Sequence, residues 1–327
     1  MEFLTFLVFL GCLYTMLTSS FGLLMGIGRQ FSMAHAGMWG LGAYSSAYVT
    51  LELAWPLWLG IPTALVFGAL AGALVAVPAL RVGVGVYLAI VTFAFQMVFV
   101  NLLTNLGDLT GGSRGMAGIP AFPSIGDLSI TQTVTVYTAI AAVLVVLLVH
   151  VWRRSAYGRV LLALGRDEKV LEGLGRDTRW LKIQLFALTG SLGALAGVFY
   201  AQYLGFISPE SFSVHQSILL MTMLLIGGAF TTFGPVVGAW FFVLVPELLT
   251  RVGLPDSVAA ALQQILFGLL LILFMIFRPM GIVSSRRHRP PGRRVRAADS
   301  SDSDPDGPGG TGGTDPRPDQ TRVGVPS

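Results

Sequence analysis

Polar side chains set inside long apolar runs are where this chain could do chemistry. Ser32 and His35 open one such run, Thr92, Gln96 and Asn101 sit in another, and Thr222, Glu247, Gln263 and Gln264 fall in three more. Hydrocarbon makes such groups expensive, so each either hydrogen-bonds a neighbouring helix or serves a substrate or ion path. His35 and Glu247 are the ionisable ones, and both lie near enough to the ends of their runs to snorkel. No chain of buried Asp, Glu, His and Arg accompanies them, which argues against an ion-coupled carrier. Other chemistries lack their residues. Lys169 and Lys182 are the only lysines, and neither follows a glycine as a phosphate-cradling loop requires. His35, His150, His215 and His288 are scattered, and Cys12 is the single cysteine, so neither a metal cluster nor an internal disulfide is expected. The chain reads as a non-enzymatic membrane component with no cofactor of its own.

The elements that must position these groups are membrane helices. The chain is 54% hydrophobic and only 12% charged, about half the ~25% charge of a soluble protein, with mean hydropathy +0.72. Apolar runs at 3–27, 32–53, 57–80, 84–106, 134–152, 181–203, 217–230, 236–249 and 258–277 predict an all-α, polytopic helical bundle of eight to nine spans. Their continuity excludes the alternating pattern of a membrane β-barrel. The run at 32–53 is rich in Gly and Ala, which lets helices approach closely in lipid. The two short runs around Gly234-Pro235 predict broken helices, which are tolerated where they are buried or line a path. Glu2 stands where a signal peptide has bases, so 3–27 is read as a span. Three parts are expected: a membrane domain over 1–284, a basic segment 153–182 within it, and a tail over 285–327 whose Arg, then Asp, Gly and Pro, predict disorder. The six arginines between Arg286 and Arg296 read as an orientation anchor or an anionic-lipid contact rather than a nucleic-acid site.

Segment 153–182 holds eight of the thirteen Lys and Arg residues that precede position 286. Basic residues favour the cytoplasmic side. With this segment inside, Arg29, Arg81 and Arg278 fall inside as well, and the 105–133 loop and the 205–214 turn fall outside. Nine crossings then put the N-terminus outside and the C-terminus in the cytoplasm of a cell-membrane protein. Gly158 and Gly175 bracket a helical periodicity in which Val160, Leu164, Leu171 and Leu174 share a face with Asp167, and Glu172 and Arg176 are spaced i,i+4. Such a helix is either a solvated connector or a docking helix for a soluble partner.

Several stretches carry a resemblance. Ser32-Met33-Ala34-His35-Ala36 precedes Gly40-Leu41-Gly42-Ala43-Tyr44, and Tyr87 to Phe95 reads YLAIVTFAF. Thr110-Gly111-Gly112-Ser113 precedes Gly115 and the Gly118-Ile119-Pro120 triplet. Ser155, Tyr157, Gly158 and Arg159 come before Asp167-Glu168 and Leu174-Gly175, and Gly205 to Phe212 reads GFISPESF. Gly234-Pro235, Gly238-Ala239 and Arg278-Pro279 complete the order. Taken together they resemble the integral-membrane permeases of branched-chain amino-acid ABC importers, of the LivM type, over residues 20 to 283. Phe230 stands where that family has glycine, and closely similar permeases serve urea and short amides.

The resemblance implies that 158–175 is a coupling helix docked on an ATP-binding subunit, through Gly158, Arg159, Leu164, Asp167, Glu168, Leu171, Leu174 and Gly175. It implies a homologous second permease subunit, two ATP-binding subunits that bind the ATP, and an extracytoplasmic binding protein. That protein would dock over Gly111, Gly112 and Ser113 and over Ser208, Pro209 and Glu210. Ser32, His35, Thr92, Gln96, Thr222, Gly234 and Pro235 are the candidates for the translocation path. A secondary transporter and a non-transporting scaffold are the rival classes.

Overall fold

The computed structural model describes residues 2–82, 86–124 and 126–250, with Ile265, Gly268 and Leu269. The expected spanning run at 258–277 is covered only at those three positions, and the expected tail, 285–327, lies outside the described residues. Apolar runs with no water to satisfy their backbone must close their hydrogen bonds internally, and they do so as helices. These are α1 (Glu2–Gly22), α2 (His35–Leu51), α3 (Gly60–Val82), α4 (Val86–Asn105), a single turn α5 (Gly107–Thr110), α6 (Ile130–Arg154), α7 (Ala156–Arg166), α8 (Glu168–Gly173), α9 (Thr178–Leu204), α10 (Val214–Gly227) and α11 (Gly234–Thr250). A two-residue strand β1 (Met116–Ala117) pairs antiparallel with β2 (Phe206–Ile207).

Among the described residues, five helices are long and apolar enough to cross a membrane: Glu2–Ile27, Leu57–Pro78, Tyr87–Asn105, Ile130–Arg154 and Thr178–Leu204. Val214–Gly227 and Gly234–Glu247 are apolar but shorter. The expected second span changes most. Helix α2 has 17 residues and starts at His35, not at position 32, and its first residues are buried in the bundle. Helix α6 begins four residues before the expected 134, because Ser129 and Gln132 form a reciprocal capping box. Asp177 likewise accepts from the backbone N–H groups of Arg179 and Trp180 and starts α9 ahead of the expected 181.

Helix α9 is the centre of the bundle. Helices α2 and α3 pack along it on small residues: a Cβ added to Gly42 would overlap the Ala194 carbonyl, and one added to Gly72 the Phe186 carbonyl. Helix α1 runs antiparallel to α9, with Phe9 stacked on Tyr203 at 3.8 Å near one end and Gly28 against Leu185 near the other. Helices α10 and α11 form a hairpin on α1. Gly227 lies against the backbone of Gly234 and Gly238, and Trp240 covers Gly11. The C-terminal ends of α1, α6 and α10 therefore meet the start of α9 at one end of the bundle, which also carries the bases of segment 153–182. The 107–129 loop and the β1–β2 pair lie at the other end.

Candidate functional site

The start of α2 is a helix terminus buried among apolar helices, where unpaired N–H groups are costly. Side chains from two other helices, α4 and α10, and one from its own turn supply the partners. The Met33 N–H donates to Thr92 Oγ1 at 3.0 Å, the Ala34 N–H to Ser32 Oγ at 3.3 Å, and the Ala36 N–H to Ser217 Oγ at 3.1 Å. Gln96 makes two bonds at once. Its Oε1 accepts from the Gly37 N–H at 2.7 Å, and its Nε2 donates to the Phe212 carbonyl at 2.6 Å. The amide thus joins the start of α2 to the turn that leads into α10. On the other flank Ser20 Oγ lies 2.8 Å from His35 Nε2 and donates to the Leu17 carbonyl. His35 Nδ1 is buried without a hydrogen-bond partner. The ring stacks on Phe21 at 4.9 Å.

Four of the expected path residues, Ser32, His35, Thr92 and Gln96, are therefore gathered at one point. Thr222, Gly234 and Pro235 are not. Thr222 bonds back to the Ile218 carbonyl of its own helix, the Gly234 N–H is held by Thr231, and Thr18 donates to the Pro235 carbonyl. Ser20 and Ser217 complete the cluster and carry no mark in the sequence, since a lone serine in an apolar run looks the same whatever it faces.

At the loop end, the two stretches expected to act together are joined by the strand pair. The Gly118 and Ile119 N–H groups both donate to the Gly205 carbonyl. Gly111 and Gly112 take positive φ and, with Ser113, form a tight turn after α5. Ser208 Oγ lies 3.2 Å from Ser211 Oγ, Pro209 is buried, and Glu210 is exposed.

Segment 153–182 differs from the expected single helix over 158–175. It is two helices broken at Asp167, whose carboxylate accepts from the N–H groups of Lys169 and Val170 and starts α8. Extended backbone at Asp167 breaks the expected continuous helix, and Leu174 does not share the face of the other three. Leu164 and Leu171 are buried in this chain's own core, and Val160 packs on it. Leu174 is 75% exposed, together with Leu162, Val170 and Trp180, and these are the apolar groups left facing outward. Asp167 and Arg159 are exposed, and Gly158 is buried in the α6–α7 turn, where a Cβ would overlap the Trp152 carbonyl. Gly175 takes a left-handed φ of 74° beyond α8. Glu172 serves not Arg176 but Thr178, whose Oγ1 donates to it at 2.9 Å. Glu168 pairs with the buried Lys182 at 2.6 Å, and Tyr157 Oη donates to Gln184 at 2.6 Å. These three contacts tie α7 and α8 to the first turns of α9.

The molecule is thus a polytopic helical membrane protein with a polar, buried helix break and a basic helical pair bound to its central helix. The family model described as "Branched-chain amino acid transport system / permease component" matches residues 3–275, and the chain belongs to that family. It is 27% identical to the high-affinity branched-chain amino acid transport system permease protein LivM of Escherichia coli strain K12, over 84% of this chain and 68% of that protein. It is 26% identical to a probable LivM of Methanocaldococcus jannaschii, over 70% of this chain and 68% of that protein. The autoinducer 2 import system permease protein LsrC of Escherichia coli strain K12 / DH10B is 26% identical over 51% of this chain and 49% of its own length. No solved structure matches significantly.

Proposed function

We propose that this chain is the permease subunit of an ABC importer that moves branched-chain, hydrophobic amino acids across the cell membrane. Family membership supports the class, and the names of the LivM relatives support the substrate. One geometric observation carries the mechanism. Helix α9 is continuous for 27 residues. Its first turns are fixed to α7 and α8 by Lys182, Gln184 and Thr178, and its last residue leads through Gly205 into the strand that holds the opposite loops. A push on α7–α8 is thereby delivered to the far end of the bundle.

In this reading the basic end is cytoplasmic, the N-terminus is outside, and the chain crosses the membrane eight to nine times. Two ATP-binding subunits bind and hydrolyse the ATP. The docking face is made by Leu162, Val170 and Leu174 with Arg159, Glu168 and Gly175 around them. Leu164 and Leu171 act beneath it as the packing that stiffens the pair. A binding protein releases substrate over Gly111 to Ser113 and Ser208 to Glu210. A homologous second permease completes the path, which runs past the α2 start. There Ser32, Thr92 and Gln96 keep the helix terminus satisfied, and a mostly apolar wall binds substrate weakly enough to release it.

The test is co-expression with the genes adjacent to this one, purification in mild detergent, and ATPase assay with loaded binding protein. Co-purified ATP-binding subunits stimulated by leucine-loaded binding protein are expected. Stimulation by urea or a short amide instead keeps the architecture and overturns the substrate. Failure of any ATP-binding subunit to co-purify overturns the reading.

A further inference from the structure

Arg153 is the last residue but one of α6, and unlike its neighbour Arg154 it turns inward. Its Nη2 donates to the Gly22 carbonyl at 3.1 Å and to the Ala229 carbonyl at 2.9 Å. These acceptors come from two other parts of the chain, 131 and 76 residues away in sequence. Gly22 closes α1 where its ladder widens into a π turn over Leu23–Ile27. Ala229 lies two residues past the end of α10, in the turn to α11. Gly22 thus sits at the junction of α1 with its π turn, and Ala229 just past a C-terminal helix end, where the helix dipole is negative and a cation is favoured.

A guanidinium at this depth is expensive. No carboxylate among the described residues forms an ion pair with it, and its Nε is buried without a hydrogen-bond partner. The room it occupies exists because residue 26 is glycine: a Cβ there would overlap the Ala229 carbonyl and press on the Arg153 nitrogen. The same turn is gripped from its other side, where Arg29 lies 5.9 Å from the centre of the Phe230 ring. Directly after Arg153 the chain bends at Ser155 into α7. One side chain therefore joins the root of the α7–α8 pair to the ends of two membrane helices that it does not touch in sequence.

We propose that Arg153 is a positioning residue that pins the α1 end and the α10–α11 turn to the root of α7–α8, so that displacement of the pair moves the hairpin as well as α9. Its consequence for transport rests on the importer reading above. The pin itself does not, and the two are tested separately.

The pin is tested on the full chain in lipid nanodiscs, in a Cys12→Ser background with spin labels at Leu162→Cys and Phe230→Cys. The distance distribution is expected to be narrow with Arg153 present and to broaden in Arg153→Met. An unchanged distribution overturns the proposal. Its consequence is read in the assembled transporter. Arg153→Met is expected to co-purify with the ATP-binding subunits and keep basal ATPase activity. Substrate-stimulated hydrolysis and uptake should fall roughly tenfold or more, the scale of losing charge-assisted hydrogen bonds. Arg153→Lys should recover part of both, since a point charge reaches a carbonyl but lacks the planar fork. Unchanged uptake beside a broadened distribution upholds the pin and overturns its consequence for transport. If Arg153→Met is not recovered as folded protein, Arg153→Gln carries the same two measurements. A wild-type complex that does not import defeats the importer reading, while the label distances still decide the pin.

Discussion

At the scale of single residues, the buried polar groups act as structure before they act on anything passing by. Gln96 is fully buried, and its two bonds replace ones that water would otherwise have to supply. Gln96→Leu keeps the volume and removes both, leaving the Gly37 N–H and the Phe212 carbonyl unpaired. At about 1–3 kcal/mol for each buried unsatisfied group, the variant should lose about 2–6 kcal/mol, seen as a lower midpoint for thermal unfolding in mild detergent. An unchanged midpoint would mean that water or a rearranged turn satisfies them. The residue types were legible in sequence: Ser32, His35, Thr92 and Gln96 are polar where hydrocarbon penalises polarity. That they converge on one helix start was not, because convergence depends on how α1, α4 and α10 cross α2. Arg153 shows the same limit. In sequence it is one base among eight in a basic segment and serves only as an orientation signal, yet its environment differs entirely from that of Arg154 beside it.

At the scale of elements, the α7–α8 pair shows where periodicity misleads. Four apolar residues at helical spacing predict one face only if the helix is unbroken. Asp167 stands between them with extended backbone, and its carboxylate caps the second helix more favourably than it would continue the first. Two otherwise similar leucines consequently have different work. Leu164→Ala opens a cavity in the core and should cost about 2–3 kcal/mol, measured as a lowered unfolding midpoint, with loss of partner binding following from loss of structure. Leu174→Ala removes an exposed side chain and should change stability by no more than about 0.5 kcal/mol, while weakening co-purification of the ATP-binding subunits. Equal effects of the two substitutions on stability would contradict the burial described here. Equal retention of partners would count against the docking face.

At the scale of the whole molecule, the proposed orientation makes one separable prediction. In a Cys12→Ser background, a cysteine at Leu174 should react with an impermeant maleimide only after the membrane is opened, and a cysteine at Ser113 should react in intact cells. The reverse pattern would invert the topology and the mechanism with it. The membrane class and the helical fold follow from composition and run length alone, because a bilayer admits few ways to satisfy a backbone. So do the order of most spans and the family resemblance, carried by short stretches such as GFISPESF and TGGSRG within the residues 3–275 that the family model covers. The folded chain alone decided three things. Helix α2 begins inside the bundle, the segment after α6 is a broken pair fastened to α9 by Lys182 and Glu168, and Arg153 reaches two distant helix ends. The division has a physical cause. Transfer of apolar surface out of water is local and additive along the chain, so sequence reports it directly. Hydrogen-bond partners 59 to 217 residues apart, such as Gln96 with Gly37 and Thr18 with Pro235, exist only once helices have crossed at a particular angle and depth.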